Sequence, residues 1–190
     1  MVVTAALASP ATLSTARLQL VPLSTEHLDQ VMAGLHHREF MRLTGTHGTF
    51  TRDAVDRFLD RVTRADDRAD WAILRASDGT YLGEVVLNDL DQHNRSMSFR
   101  IALNHPAMVG QGYGTEATRA VVEYGFDVVG LHRISLGVYA FNPRARRVYE
   151  KCGFVHEGVE RDALNWEGEW VDLHRMSMLA TDPRPPAGSM

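Results

Sequence analysis

The sequence predicts an α/β domain, a central mixed and mostly antiparallel sheet of about seven strands flanked by about four helices. Three observations carry this expectation. Short runs such as Arg17 to Leu23 and Trp71 to Arg75 read as strands, the first alternating apolar and polar residues. From Gly112 to Val128 the apolar residues instead recur every three or four positions, as on one face of a helix. That helix stands between two strand runs, which implies a right-handed crossover and one parallel pairing.

The 190 residues suffice for one well-cored domain, and 44% apolar with 23% charged residues is ordinary for a globular chain. A formal net charge of -4 offers no basic footprint, so nucleic acid is not an expected partner. Cys152 is the only cysteine, which excludes an internal disulfide and a cysteine-based zinc framework. No Lys or Arg precedes Arg17 and Pro10 interrupts the start, unlike a signal peptide; no apolar run reaches the roughly 20 residues that cross a bilayer. The expectation is a cytoplasmic monomer or homodimer without a membrane partner. Residues 1–13 read as a flexible start, 14–180 as one domain and 181–190 as a flexible, Pro-rich tail.

In chain order, the strand with Leu18 and Leu20 on one side leads to Ser24 and Thr25, candidate caps for a helix carrying Leu28, Val31, Met32 and Leu35. The stretch His36 to Phe50 has weak periodicity and reads as a loop facing substrate. Thr51 then caps a second helix through Val55, Phe58, Leu59 and Val62. Two strand runs meet at the Asp78-Gly79 hairpin turn, and a third, Ser96 to Leu103, completes an antiparallel meander that Pro106 stops. After the long helix, Arg133 to Tyr139 returns as a strand. Asn142-Pro143 opens a short helix that Gly153 ends, and two closing strands flank Glu167-Gly168.

The chemistry concentrates at Val109 to Val122, where Gly110, Gly112 and Gly114 lead into the long helix. Helix-start N–H groups without intrahelical partners, with the positive end of the helix dipole, suit a phosphate or pyrophosphate. Gly110-Gln111-Gly112-Tyr113-Gly114-Thr115-Glu116-Ala117, followed about 25 residues later by Asn142 to Phe154, closely resembles the GCN5-related N-acetyltransferases (GNAT). Within that superfamily, LSTARLQLVPL and GEVVLNDLDQHNRSMSFRIAL are most similar to the RimJ/RimL-like ribosomal-protein-alanine acetyltransferases.

The resemblance implies acetyl-CoA as donor and a primary amine as acceptor, either a protein N-terminus or a small molecule; no metal is expected. It assigns the pyrophosphate to the backbone around Val109, Gly110, Gln111, Gly112, Tyr113, Gly114 and Thr115, with Val109 standing where the family usually has Gln or Arg. Asn142 matches a CoA contact, and Arg147, with Arg144 and Arg146, is a candidate for the 3'-phosphate. The pantetheine arm would lie where the strand ending near Leu103 splays from the one beginning near Arg133. Tyr149 matches the acid that protonates the departing thiolate. Ser98 stands where many relatives carry a glutamate, and a serine cannot by itself deprotonate an ammonium. Glu84, on the neighbouring strand, is the favoured base, with Asp89 and His93 as alternatives through a water.

Two further functional readings follow: a polyamine or aminoglycoside acetyltransferase, favoured by an acidic acceptor pocket, and a non-catalytic CoA-binding sensor, favoured by Ser98. His36, His37 and His47 lack metal-ligand spacing and are expected at the substrate entrance. Cys152 reads as a buried small residue with no paired base. Trp166 is a candidate for shaping the acceptor pocket.

Overall fold

The computed structural model describes residues 1–104 and 108–185. Pro106 and the last part of the tail, 186–190, lie outside the described residues. The elements in chain order are α1 (Thr4–Ala8), β1 (Leu13–Ser14), β2 (Leu18–Pro22), a short 3-10 helix (Thr25–His27), α2 (Leu28–Leu35), α3 (Arg38–Thr44) and α4 (Arg52–Thr63). There follow β3 (Ala69–Arg75), β4 (Tyr81–Asp91), β5 (Ser96–Leu103), α5 (Tyr113–Asp127), β6 (Arg133–Tyr139), α6 (Pro143–Cys152), β7 (Val155–Trp166) and β8 (Glu169–Leu179). Among the described residues the strands form one eight-stranded sheet in the order β1-β2-β3-β4-β5-β6-β8-β7, antiparallel throughout except for β5 and β6.

Strand alternation sorts the core onto two faces. Trp71, Ile73, Leu87, Phe99 and Ile134 pack with Ala117 and Val121 of α5 and with Tyr149 and Cys152 of α6. Ala72 faces the other way and joins Leu28 and Val31 of α2 and Val55 and Leu59 of α4. Each face therefore has its own helix layer.

Three elements exceed the sequence expectation. The two-residue β1 adds a strand by pairing Leu13 with Leu20 and Ser14 with Gln19. The stretch read as a loop contains α3, anchored by the buried Phe40 and ended by Gly45 in the left-handed conformation. The start read as flexible contains α1 and docks on the core: Leu7 is 1% exposed, Tyr124 Oη donates to the Ala6 carbonyl at 2.7 Å, and Trp71 Nε1 donates to the Ala11 carbonyl at 2.9 Å. Such short helices are stabilised by tertiary contacts more than by local propensity, so they carry little local signal.

The parallel pair is brief. β5 and β6 are in register at Ser96 with Arg133, Met97 with Ile134 and Ser98 with Ser135, and beyond that last rung each continues without the other. β4 holds β5 from one side and β8 holds β6 from the other, so two free strand edges face each other across a gap.

Candidate active site

A cavity of about 560 Å³ occupies that gap and reaches both faces of the sheet. On the α5 and α6 side its wall includes Val109, Gly110, Gly112, Gly114 and Thr115, then Asn142, Arg147 and Tyr149. On the other side it is lined by Phe40, Leu43 and Thr44 of α3, with Glu84, Val86 and Asp89 of β4. Glu84 is the Cα partner of Ala72, and directly paired residues share a face, so its side chain lies on the α2–α4 side.

The glycine turn is built to admit a ligand backbone-first. Gly110 and Gly112 have φ of 82° and 84°, the region that glycine takes without penalty, and the site of a Cβ on Gly110 is open space. The first helical bond of α5 runs from the Glu116 N–H to the Gly112 carbonyl at 3.1 Å, so the preceding N–H groups of Tyr113, Gly114 and Thr115 have no helical acceptor. The turn is held from β2's leading edge. Arg17 Nη1 donates to the Gln111 carbonyl at 2.9 Å, and Arg17 Nε donates to Glu116 Oε2 at 2.8 Å. Thr15 Oγ1 donates to Glu116 Oε1 at 2.6 Å. Burial opposes ionisation of Glu116, but these donors keep its carboxyl below the usual range.

Twelve of the residues singled out from sequence line this one cavity: Glu84, Asp89, Ser98, Val109, Gly110, Gly112, Gly114, Thr115, Asn142, Arg144, Arg147 and Tyr149. Gln111 and Tyr113 are outside the lining. Tyr113 is buried in the core with the Arg17 guanidinium 4.7 Å from its ring centre. Asn142 also caps α6, its Oδ1 accepting from the Ala145 N–H at 3.1 Å. Of the three arginines on α6, Arg146 is tied to Glu150 at 3.0 Å, whereas Arg144 and Arg147 face the cavity without an ion-pair partner among the described residues.

Glu84 is set apart by its surroundings. Tyr81 Oη donates to its Oε1 at 2.7 Å, and Asn104 Nδ2 donates to the same oxygen at 3.5 Å. Burial raises the Glu84 pKa above the ordinary carboxylate value, against those donors and the nearby positive charge of Arg100. Asn104 is backed by α2, where a Cβ on Gly34 would stand 2.4 Å from its Nδ2. Ser98 sits on the last β5–β6 rung, at the mouth of the gap.

Tyr149 projects from α6 into the opposite wall. Its ring meets Phe99 and Phe154 edge-on, with centroids 6.2 and 6.0 Å away. Burial pushes the phenol pKa up, so the hydroxyl is protonated at neutral pH. Burial also pushes the Cys152 thiol up to about 11, which removes it as a nucleophile.

The histidines gather elsewhere. His36 and His37 border a second hollow of about 700 Å³ together with Trp166 and Glu167, and His47 stacks on Trp166 at 5.0 Å. Arg38 of α3 reaches Glu167 at the β7–β8 turn, 2.5 Å away. Among the described residues no group of three or more His, Cys, Asp or Glu could hold a metal ion, and no helix is long and apolar enough to cross a membrane.

Sequence reasoning missed Arg17, Tyr81, Arg100, Asn104 and Lys151, the third and fifth of which line the cavity. Alternation along β5 was the available signal for Arg100, because it shares a face with Ser98 and Ala102.

The cavity fits a CoA-type cosubstrate on its own features: N–H groups without helical acceptors beside an open glycine for a pyrophosphate, two free strand edges for an amide-bearing arm, and guanidiniums near α6 that have no ion-pair partner among the described residues. Residues 17–155 match the acetyltransferase (GNAT) domain family. The probable N-acetyltransferase YjcK of Bacillus subtilis is 33% identical over 131 residues, 69% of this chain and 72% of that protein. The putative ribosomal N-acetyltransferase YdaF of the same organism is 35% identical over 104 residues, 54% of this chain and 55% of its own. The crystal structure of spermidine N-acetyltransferase from Vibrio cholerae in complex with CoA and spermine shares the fold, with a TM-score of 0.82 over 88% of this chain and 98% of that one at 24% identity. The chain belongs to the GNAT family and is an acetyl-CoA-dependent N-acetyltransferase.

Proposed function

We propose that this enzyme acetylates a primary amine by direct attack of the free amine, with Glu84 as the base and Tyr149 as the acid. One observation carries the assignment: a half-buried carboxylate and a protonated phenol line the same cavity from opposite faces of the sheet, where β5 and β6 part. Acetyl-CoA supplies an activated acyl carbon. Glu84 takes the proton from the incoming ammonium, and its raised pKa brings it closer to working pH than an ordinary carboxylate. Tyr149 gives a proton to the leaving sulfur. Backbone N–H groups of β5 beyond Ser98, free of the β6 ladder, are suited to hold the developing oxyanion. Ser98 contributes a hydroxyl at the same mouth and has no role as base. The cofactor side comprises the Val109 to Thr115 turn, Asn142 and Arg147, and the catalytic unit spans residues 14–180.

The acceptor class follows the branch. A RimJ/RimL-like enzyme acting on a protein N-terminus is supported by the sequence motifs and by the likeness to the ribosomal N-acetyltransferase YdaF. A small-amine acceptor is supported by the likeness of fold to the spermidine enzyme. The test is thiol release from acetyl-CoA by the purified chain, with a panel of peptides and small amines between pH 7 and 9. Turnover with a subset of amines is expected. Tight CoA binding with no thiol release across the panel would overturn the enzyme assignment in favour of a CoA-binding sensor.

A further inference from the structure

We propose that the acceptor is a primary amine carrying its own carboxylate, an amino acid, and that Arg100 selects it by holding that carboxylate. The inference rests on Glu84 marking the amine end of the cavity. In the β4–β5 pair Glu84 is opposite Ala102, and Arg100 is opposite Val86. Arg100 and Glu84 are thus diagonal neighbours on one face, with backbones about 7–8 Å apart. Both side chains line the cavity on the α3 side, and Arg100 is near enough to favour the charged form of Glu84.

The other arginines around this end are engaged. Arg175, also in the lining, is paired with Glu160 at 2.6 Å, and Arg42 of α3 lies over the Phe141 ring at 4.2 Å. The Arg100 side chain is exposed, and among the described residues its guanidinium has neither an ion pair nor a hydrogen bond. The second carboxylate of this end, Asp89, is exposed on an irregular stretch of β4, where it accepts from Asn88 Nδ2 at 2.9 Å. The acceptor end is therefore a field of mixed sign. A long polycation would set an ammonium against the Arg100 guanidinium. A zwitterion satisfies both ends at once, its amine at Glu84 and its carboxylate on a planar fork whose geometry matches it.

The experiment compares amino acids, their carboxamides and spermidine as acceptors for the purified full chain, at equal concentrations of free amine. Thiol release from acetyl-CoA is the readout. At least one amino acid is expected to exceed its carboxamide in kcat/KM by roughly 10- to 100-fold, the scale of one charge-assisted hydrogen-bonded contact. Arg100→Gln should erase that gap, mainly through KM for the amino acid. Carboxamides or spermidine used as well as amino acids by the wild type, or a gap that survives Arg100→Gln, would overturn the proposal. In either case the acetyltransferase reading stands, since thiol is released. No thiol release with any of the amines would overturn both. The wild-type panel decides the acceptor class even if the variant is poorly folded.

Discussion

Replacing Tyr81 by Phe removes one donor from the Glu84 carboxylate and leaves the aromatic ring in place. The Tyr81 hydroxyl meets Oε1 at 2.7 Å, whereas Asn104 reaches the same oxygen at 3.5 Å, so Tyr81 supplies the stronger of the two bonds. A hydrogen bond to a charged group is worth about 1.5–3 kcal/mol, which at 1.36 kcal/mol per unit corresponds to roughly one to two pKa units. The donor favours the ionised form, so its loss moves the Glu84 pKa up. A base works only when deprotonated, and the acid limb of the pH profile must therefore move to higher pH by about one unit or more. The assay is kcat/KM for a fixed amine across pH, with thermal unfolding as the control for folding. An acid limb that stays in place, or moves down, would refute the role given to Tyr81. A limb that Glu84→Gln leaves unchanged would refute Glu84 as the base.

Tyr149→Phe keeps the ring contacts with Phe99 and Phe154 and removes the proton donor, so kcat should fall about 100-fold with the KM for acetyl-CoA nearly unchanged. Unchanged turnover would remove it from the acid role. Gly112→Ala places a side chain in a left-handed position, at about 1–2 kcal/mol, with the new Cβ 3.2 Å from Arg17 Nη2. Calorimetry should find CoA binding weakened roughly tenfold. Stability should fall on acidification: Arg133 and Ser177 hold Glu157 down at about 2, a depressed folded value, so its contribution is present above the ordinary carboxylate pKa and is lost as pH falls toward 2. Thermal melts between pH 5 and 2 should show the loss, and Arg133→Gln should flatten it.

The elements legible in the sequence are those whose signal is local. The spacing of Ala117, Val121 and Tyr124 announces α5 because one helix face meets one sheet face, and all three are buried. The Asp78-Gly79 turn is equally local, with the Gly79 N–H bonding to the Arg75 carbonyl at 2.8 Å. By contrast α3 depends on Phe40 finding a pocket made elsewhere, and α1 with its flanking residues Val3 and Ala11 depends on contacts with Val129, Tyr124 and Trp71, far away in the chain. The site divides along the same line. The glycine turn and the Asn142 cap use neighbouring backbone and were legible, whereas Arg17 acts on Glu116 across 99 positions and Asn104 on Glu84 across 20.

The break in the β5–β6 ladder connects this division to function. Unpaired strand edges inside a sheet forgo hydrogen bonds that the rest of this sheet makes, and buried backbone groups without partners are costly. The break begins after Ser98 and Ser135, where Glu84 approaches from one face and Tyr149 from the other. A continuous ladder would separate the two groups by a closed layer of backbone. In the reading proposed above, the open ladder offers donors and acceptors to an extended ligand arm pairing as a missing strand, with the amine approaching from the α3 side. On the roles proposed above, the same opening lets Glu84 of β4 and Tyr149 of α6, on opposite faces of the sheet, act on one reacting centre.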